Sequence, residues 1–445
     1  MSESEQVTVG VLSLHTSKET KAICNAVEAL GHRPEWLRRE NTTISVEEGS
    51  VTLDPAVDVV ANRMLLSSTA QPCEELGLAN TVASLVPTLN DPMATMTAIH
   101  KLTTAVELAS NDVRVPDVVL SLSSDRLNAA REKFGEEAVY KTAIGTHGGG
   151  TWKVGPEDLV NPMVGNRFAF LQELIHREDT RHRDLRVYVV GDEVVAAMHR
   201  YAPENDWRTN VALGAEVADA TDSIPDEARE LALAATDVVG LDYAGIDLLE
   251  SDEGWFVLEV NPTAGFKGLY EATHVSPAPH IARLAIERAG GTVEPDRVDE
   301  LAGTLDDSRP SVLPPESALE GTEPVDVGYT EEVVLTGTSG SETVIAKADT
   351  GANRTSIDTQ LAAEIGAGPI KSITRVKSGS RKTARSRPVV DIVVGIRGNQ
   401  HTVTASIEDR SHMDYGVILG RDILKNYRVD VGRRVDGSDH DTPEE

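Results

Sequence analysis

The sequence predicts an α+β protein followed by a separate all-β lobe, and three observations carry that prediction. Strand, helix and strand patterns follow one another over the first ninety residues, as in a small α/β domain. From 139 to 260 apolar strands recur with antiparallel turn signals between them. An acidic, Pro-rich stretch at 294–325 then separates this body from short strands with Gly-rich turns.

Taken in order, VTVGVLSL (7–14) reads as a buried strand, and 18–30 has helical spacing ending at Gly31, a helix-stop signal. VDVVANRMLL (57–66) gives a second strand, so an α/β domain over 1–90 is expected. No Gly-x-Gly-x-x-Gly follows its first strand, which leaves a dinucleotide site there without support. Residues 91–110 predict one amphipathic helix, opening a second domain that runs to 293. VRVPDVVLS, VYKTAI, FAFLQELI, LRVYVVGDEVVAAMHRY, YAGIDLLE and WFVLEVN predict strands, with a helix at 226–240. The turns GDE (191–193) and SDEG (251–254) predict hairpins. A linker is expected at 294–325, a β domain at 326–433, and a disordered acidic tail at 434–445.

The 445 residues carry 72 acidic against 42 basic side chains, a net charge of −30, with Arg heavily outnumbering Lys. So dense an acidic surface argues against nucleic-acid binding and strains the fold unless salt screens it. The charge is spread along the chain, which reads as adaptation to a high-salt cytoplasm, as in halophiles. No apolar run approaches the roughly 20 residues that span a bilayer, and the amino end lacks the pattern of a signal peptide. Two cysteines, Cys24 and Cys73, build neither a disulfide framework nor a Cys-rich zinc site. A cytoplasmic protein without a membrane partner is expected.

Asp247 falls in one strand of the second hairpin, and Glu259 and Asn261, two apart, share a face of the other. Three hard oxygen donors converging there suit Mg²⁺ with substrate phosphates. The bland reading is acidic residues near a surface turn; it holds for Asp252 and Glu253, but Glu259 ends the apolar run FVLEV. In YKTAIGTHGGGTWKV, Lys141 precedes Gly148, Gly149 and Gly150, a loop able to wrap polyphosphate with its N–H groups. A flexible hairpin tip explains three glycines equally well, and no Lys-Ser/Thr follows them as in a P-loop. HRDL (182–185) is not a kinase loop, because Val189 stands where Asn is needed and no Asp-Phe-Gly follows.

Lys101, Lys141, LQELI (171–175), RDLRVYVVGDEVVAAMHR, WRTN (207–210) and GIDLLE…LEVNPTAGFKGLYEAT together resemble the ATP-grasp fold, and within it the RimK family of glutamate ligases, over about 1–290. The resemblance implies that Lys101 and Lys141 contact ATP phosphates and that Gln172, Glu173, Leu174 and Ile175 line the adenine pocket. Asp184, Arg186, Arg208, Thr209 and Asn210 would sit by nucleotide and substrate; Asp247, Glu259 and Asn261 would hold two Mg²⁺, with Mn²⁺ an alternative. Pro262-Thr263-Ala264-Gly265 departs from the Ser-Pro-Gly run usual in the family, which bears on substrate geometry. The implied reaction activates an acceptor carboxylate, on a protein carboxyl terminus or a small metabolite, as an acylphosphate. The amine of an amino acid, glutamate by resemblance, then displaces phosphate. Arg186 and Arg208 are the candidates for stabilising these anions, since guanidinium binds carboxylate and phosphate in bidentate fashion; ordinary surface ion pairs are the other reading. A homo-oligomer is expected.

In the last lobe, ADTGA (348–352) and GVILGRDIL (416–424) resemble single-lobed retropepsin-like domains, the so-called ATP-dependent zinc protease family. Aspartic proteolysis needs two carboxylates sharing a proton, and one lobe supplies only Asp349, so a symmetric dimer is required. No His-Glu-x-x-His motif supports zinc. A turn retained in a binding or regulatory domain is the equal alternative.

Overall fold

The computed structural model describes residues 6–67, 69, 71–145, 150–165, 167–175, 181–203, 207–209, 215–312, 325–368, 370, 372–376 and 385–435. The chain divides into two compact units, Met1–Pro314 and Pro315–Glu445.

The first unit begins with a parallel sheet in the order Arg33–Leu37, Thr8–Leu12, Val59–Asn62, Thr88–Leu89. The first and third of these in sequence are the apolar runs expected as strands. Arg33–Leu37 was hidden by its Pro34 and polar residues, yet it buries Trp36 and Leu37. The helix Lys18–Ala29 starts at Ser17, whose hydroxyl accepts the Thr20 N–H, and buries Ile23 and Val27 on the sheet. The late helix Ala278–Arg288 packs beside it, so Ile281 and Ile286 share one core with Val9, Val11 and Trp36. The body expected to start at residue 91 thus returns to cover the sheet that precedes it.

The helix expected over 91–110 is two helices, Pro92–Ile99 and Lys101–Ser110. His100 leaves the helical region, and its Nδ1 accepts the Thr103 N–H, capping the second helix. The break frees the Lys101 N–H to bond Ala143 O at 2.8 Å, outside its own helix.

Two sheets follow. One runs Met163–Val164, Arg167–Glu173, Ala138–Thr142, Thr151–Val154, with Val118–Val119 also on the second strand; the VRVPDVVLS run thus forms only two residues of strand. The other is antiparallel: Glu216–Asp219, Glu193–Tyr201, Arg183–Val190, Tyr243–Ser251, Gly254–Asn261. Both expected hairpins are present, turning at Gly191 (φ +59°) and Gly254 (φ +117°). The helix Asp226–Val239 buries Ala228, Ala232 and Ala235 against the antiparallel sheet and ends at Gly240, φ +77°, whose N–H caps Thr236 O.

The expected linker needs correction at its start. Residues Pro295–Ala302 form a helix whose Val298 and Ala302, four apart, are buried against Ala278–Arg288. Acidic composition concealed this apolar stripe. Beyond it Lys18 pairs with Asp307 at 3.0 Å and Ser311 donates to Glu28, so the segment lies along the first unit to residue 312. Residues 313–324 and the tail beyond 435 are outside the described residues.

The second unit is a six-stranded closed barrel. Its order is Thr330–Thr336, Ser341–Ala348, Val417–Leu419, Ser356–Asp358, Asn399–Glu408 and Arg385–Ile396, which pairs back to Thr330–Thr336. Closure leaves no open edge among these six. Among the described residues no helix is long and apolar enough to cross a membrane.

Candidate active site

Between the two sheets of the first unit lies a cleft of about 530 Å³. Eight Lys or Arg and six Asp or Glu side chains line it among the described residues, a local excess of positive charge in a chain of net −30. That excess is placed where a polyanion would be received.

The floor is a row of cross-strand charge pairs. On Arg183–Val190, Asp184 and Arg186 point to one face, two residues apart. Asp184 stands opposite Arg200, Arg186 opposite Asp247, and Asp247 opposite Glu259. Arg186 grips Asp247 in bidentate fashion, Nε–Oδ1 2.6 Å and Nη2–Oδ2 2.7 Å. Arg200, only 4% exposed, does the same to Asp184 at 2.7 and 2.5 Å and reaches Asp247 Oδ2 at 3.0 Å. Thr209 Oγ1 donates to Asp184 as well. Burial opposes ionisation of Asp247, but Arg186 and Arg200 outweigh it and hold the carboxyl well below the usual range. For Asp184 burial prevails, with Asp247 adding to it, and its pKa lies above the usual value.

At the hairpin's end Lys101 Nζ meets Glu259 Oε1 at 2.6 Å. Burial alone would raise Glu259; Lys101 and Lys141 hold it lower. Lys141 itself, on Ala138–Thr142, is buried over the ring of Phe170 at 5.6 Å. Desolvation is the main cause that pushes its ammonium down to about 8, with Lys101 adding to the shift and Glu259 opposing it.

Lys101, Lys141, Gln172, Glu173, Leu174, Ile175, Asp184, Arg186, Arg208, Thr209, Asp247, Glu259 and Asn261 all line this one cleft. Gly150 precedes the strand Thr151–Val154 with φ +84°, and a Cβ there would stand 2.9 Å from Thr142 Oγ1, so only glycine fits. Gly148, Gly149 and Asn210 lie outside the described residues. Asp349 belongs to the other unit. The surface ion-pair reading of Arg186 does not hold, because the Arg186–Asp247 pair is largely buried.

Arg200 went unnoticed in the sequence: the register shifts by one between Tyr188 and Val189, so counting back from the GDE turn would set His199, not Arg200, opposite Asp184. Arg63, directly after Val59–Asn62 and 3% exposed, also lines the cleft. Gly245, paired with Asn261, matters by its smallness: a Cβ would sit 2.6 Å from that of Ala264, in the turn after the hairpin.

Asp247 and Glu259 offer carboxylates, and Asn261, whose amide nitrogen is 3.4 Å from Asp247 Oδ2, offers its carbonyl oxygen. Among the described residues no group of three His, Cys, Asp or Glu gathers as an all-protein metal cage. Few hard oxygens beside a phosphate-receptive cleft is the arrangement that fits Mg²⁺, which retains water and substrate oxygens.

Lys141 supplies a test with a defined sign. Above about pH 8 the folded protein has lost a proton that the unfolded chain keeps until near 10.5. Its burial therefore weakens the fold below that pH, and the penalty is relieved between about 8 and 10.5. Anion binding has the opposite sense, since it needs the ammonium. Affinity for Mg-ADP is expected to fall as pH rises through about 8, and Lys141→Arg should flatten that dependence. Equilibrium nucleotide binding across this range checks it.

Residues 98–284 match the model of the RimK-like ATP-grasp domain. The chain is 37% identical over 210 residues to the tetrahydromethanopterin:alpha-L-glutamate ligase of Methanocaldococcus jannaschii, covering 45% of this chain and 71% of that protein. It is 34% identical over 206 residues to the ribosomal protein bS6–L-glutamate ligase of Escherichia fergusonii, covering 45% and 67%. Among solved structures, the ATP-grasp ligase PsnB complexed with a phosphomimetic variant of its minimal precursor, Mg and ADP aligns with a TM-score of 0.51. That alignment spans 63% of this chain and 98% of PsnB at 22% identity, a likeness of fold. With the charged cleft built on the matched segment, these relatives identify the chain as a member of the RimK-like ATP-grasp family of glutamate ligases, enzymes that form carbon–nitrogen bonds.

Proposed function

We propose that the chain is an ATP- and Mg²⁺-dependent carboxylate–amine ligase that adds glutamate, or a similar amino acid, to an acceptor carboxylate. The observation that carries this reading is the Asp247–Glu259–Asn261 hairpin beside Lys101 and Lys141 in one cleft. The glutamate in both relatives' names supports the donor; their acceptors, a pterin cofactor and a ribosomal protein, leave a protein carboxyl terminus or a small metabolite as the class.

Lys101 and Lys141 bind the phosphates, and Gln172 to Ile175 line the base. Asp247, Glu259 and Asn261 hold two Mg²⁺, which when bound neutralise polyphosphate charge and orient its terminal group. An acceptor carboxylate oxygen attacks the γ-phosphorus and ADP leaves. The amine then attacks the acyl carbon, phosphate departs, and the amine proton passes to water. Arg186, with Arg208 of the same cleft, offsets the negative charge on the transferring groups. In the structure the Arg186 guanidinium is paired with Asp247, so this role would require it to turn toward substrate. The enzyme functions in the cytoplasm at high salt as a homo-oligomer.

The test is phosphate release from Mg-ATP in molar KCl with L-glutamate and cell extract as acceptor source. Release that needs both supports the reading; release that needs neither, or none at all, refutes it.

A second reading concerns the barrel, proposed here as retropepsin-like. Asp349 is exposed on a turn where its Oδ1 accepts the Gly351 N–H at 2.9 Å. Behind it Asp422, on the short helix Arg421–Leu424, accepts the Thr355 hydroxyl at 2.8 Å, and the Arg421 N–H bonds Ala352 O. This bracing favours a presented carboxylate, while a binding or regulatory lobe remains the alternative role. Asp349→Asn is expected to leave ligation unchanged and to abolish any peptide cleavage, as mass spectrometry of a peptide library would report; cleavage that survives removes Asp349 from the account.

A further inference from the structure

We infer that Arg63 forms a carboxylate-binding subsite at the inner wall of the cleft, with His15 beside it. The inference rests on the ligase reading above and names what one part of that site holds.

The parallel sheet sets the position. His15 follows the strand Thr8–Leu12 and Arg63 directly follows Val59–Asn62, so both stand at carboxyl ends of neighbouring strands, where open α/β sheets receive ligands. The Arg63 N–H bonds Leu12 O at 2.9 Å, and Asn62 O accepts the Tyr243 hydroxyl at 2.6 Å, which fixes this corner of the backbone.

The side chain is the anomaly. Arg63 is 3% exposed, lies with its guanidinium carbon 5.3 Å from the centre of the Phe266 ring, and spends Nη2 on a long 3.4 Å bond to Thr263 O. Its Nε and Nη1 are packed out of solvent without an acceptor of good hydrogen-bond geometry, and the buried Tyr188 hydroxyl, close enough to interact with the guanidinium, makes no well-formed bond either. A buried guanidinium with two unused donors is costly unless an anion completes it. Nearly every other buried cation in this cleft already has its acid: Arg186 has Asp247, Arg200 has Asp184 and Asp247, and Lys101 has Glu259. Glu19, the nearby acid, directs Oε1 to the Phe266 N–H.

Arg63 and His15 line the cleft along with Thr263 to Gly265, the turn after the Asp247–Glu259 hairpin. Burial and then the Arg63 charge lower the His15 pKa, and burial keeps Tyr188 protonated, so the hydroxyl can donate. The planar guanidinium matches a carboxylate in shape and charge. The bond to Thr263 sets that carboxylate next to the turn that follows Asn261, beside the Asp247–Glu259 hairpin. Two substrates could supply it: the carboxylate of the added amino acid, or one on the acceptor.

The experiment is calorimetric titration of the full chain in molar KCl, comparing wild type, Arg63→Met and Arg63→Lys. The probes are L-glutamate, a peptide ending in glutamate, and Mg-ADP. Wild type should bind at least one carboxylate probe, and Arg63→Met should weaken it roughly tenfold to a hundredfold with Mg-ADP affinity and melting temperature retained. Arg63→Lys should recover part of the loss. If the loss falls on L-glutamate, the subsite serves the added amino acid; if on the peptide, it serves the acceptor. Carboxylate binding unchanged in Arg63→Met, or all ligands and the melting temperature falling together in both variants, overturns the subsite. Wild type that binds Mg-ADP but neither carboxylate also overturns it while leaving the nucleotide site intact. Absence of Mg-ADP binding would instead sink the ligase reading itself.

Discussion

Glu259→Ala is expected to lower turnover by roughly a thousandfold or more, because it removes both a proposed metal ligand and the partner that holds Lys101 in place. Two ammonium groups, those of Lys101 and Lys141, flank that carboxylate. In the variant they repel each other without that carboxylate between them, and the hairpin keeps one carboxylate instead of two for the proposed Mg²⁺ ions. The charge on the phosphates can still be met by the lysines, so nucleotide without metal should retain measurable affinity. Steady-state phosphate release, with nucleotide binding measured in the presence and absence of Mg²⁺, separates the two effects. Wild-type turnover in this variant would mean that Glu259 is only a structural counterion.

Arg200→Leu should be the most destabilising change in the cleft. The side chain neutralises two buried carboxylates at once, Asp184 at 2.5 Å and Asp247 at 3.0 Å. Removing one member of a buried ion network costs about 3–5 kcal/mol, since the remaining charges stay desolvated and unpaired. Chemical denaturation in constant high salt should show that loss. Asp184→Asn in the same background should return part of it, by removing one stranded charge. The variant should also gain stability as pH falls, because a buried carboxylate without its guanidinium takes up a proton in the folded state before the unfolded chain does. A loss below about 1 kcal/mol, the value typical of exposed pairs, would show that the pair is not buried in solution.

Which parts of this arrangement could be read in advance follows from the range of the signals. Strand alternation is local, so Asp247, Glu259 and Asn261 could be assigned to one face of a hairpin, and the register puts Asp247 opposite Glu259. Lys141 was legible as a lysine at the end of a strand before a glycine loop. Arg200 was not: MHRYAP looks like the frayed end of a strand, and only the bond pattern across the Gly191 turn shows that it faces Asp184. Arg63 was hidden for the same reason, its neighbours Thr263 and Phe266 lying two hundred residues away in sequence. The break at His100 was missed because apolar spacing continues through it; a histidine capping its own successor leaves no mark on periodicity. Composition misled at 295–302, where acidic residues surround the stripe that buries Val298 and Ala302. The barrel's short strands were expected, whereas its closure between Thr330–Thr336 and Arg385–Ile396 is a long-range pairing that no local pattern specifies.

Activation of a carboxylate by phosphorylation in the cleft above Asp247 and Glu259 underlies every step of the proposed ligation. It is tested most directly by labelling the acceptor carboxylate with ¹⁸O, running the ligation with Mg-ATP and glutamate, and examining the released phosphate by ³¹P NMR. An acylphosphate passes one carboxylate oxygen to phosphate when the amine displaces it, so one ¹⁸O per phosphate is the predicted result. Amide formed with unlabelled phosphate would contradict the account.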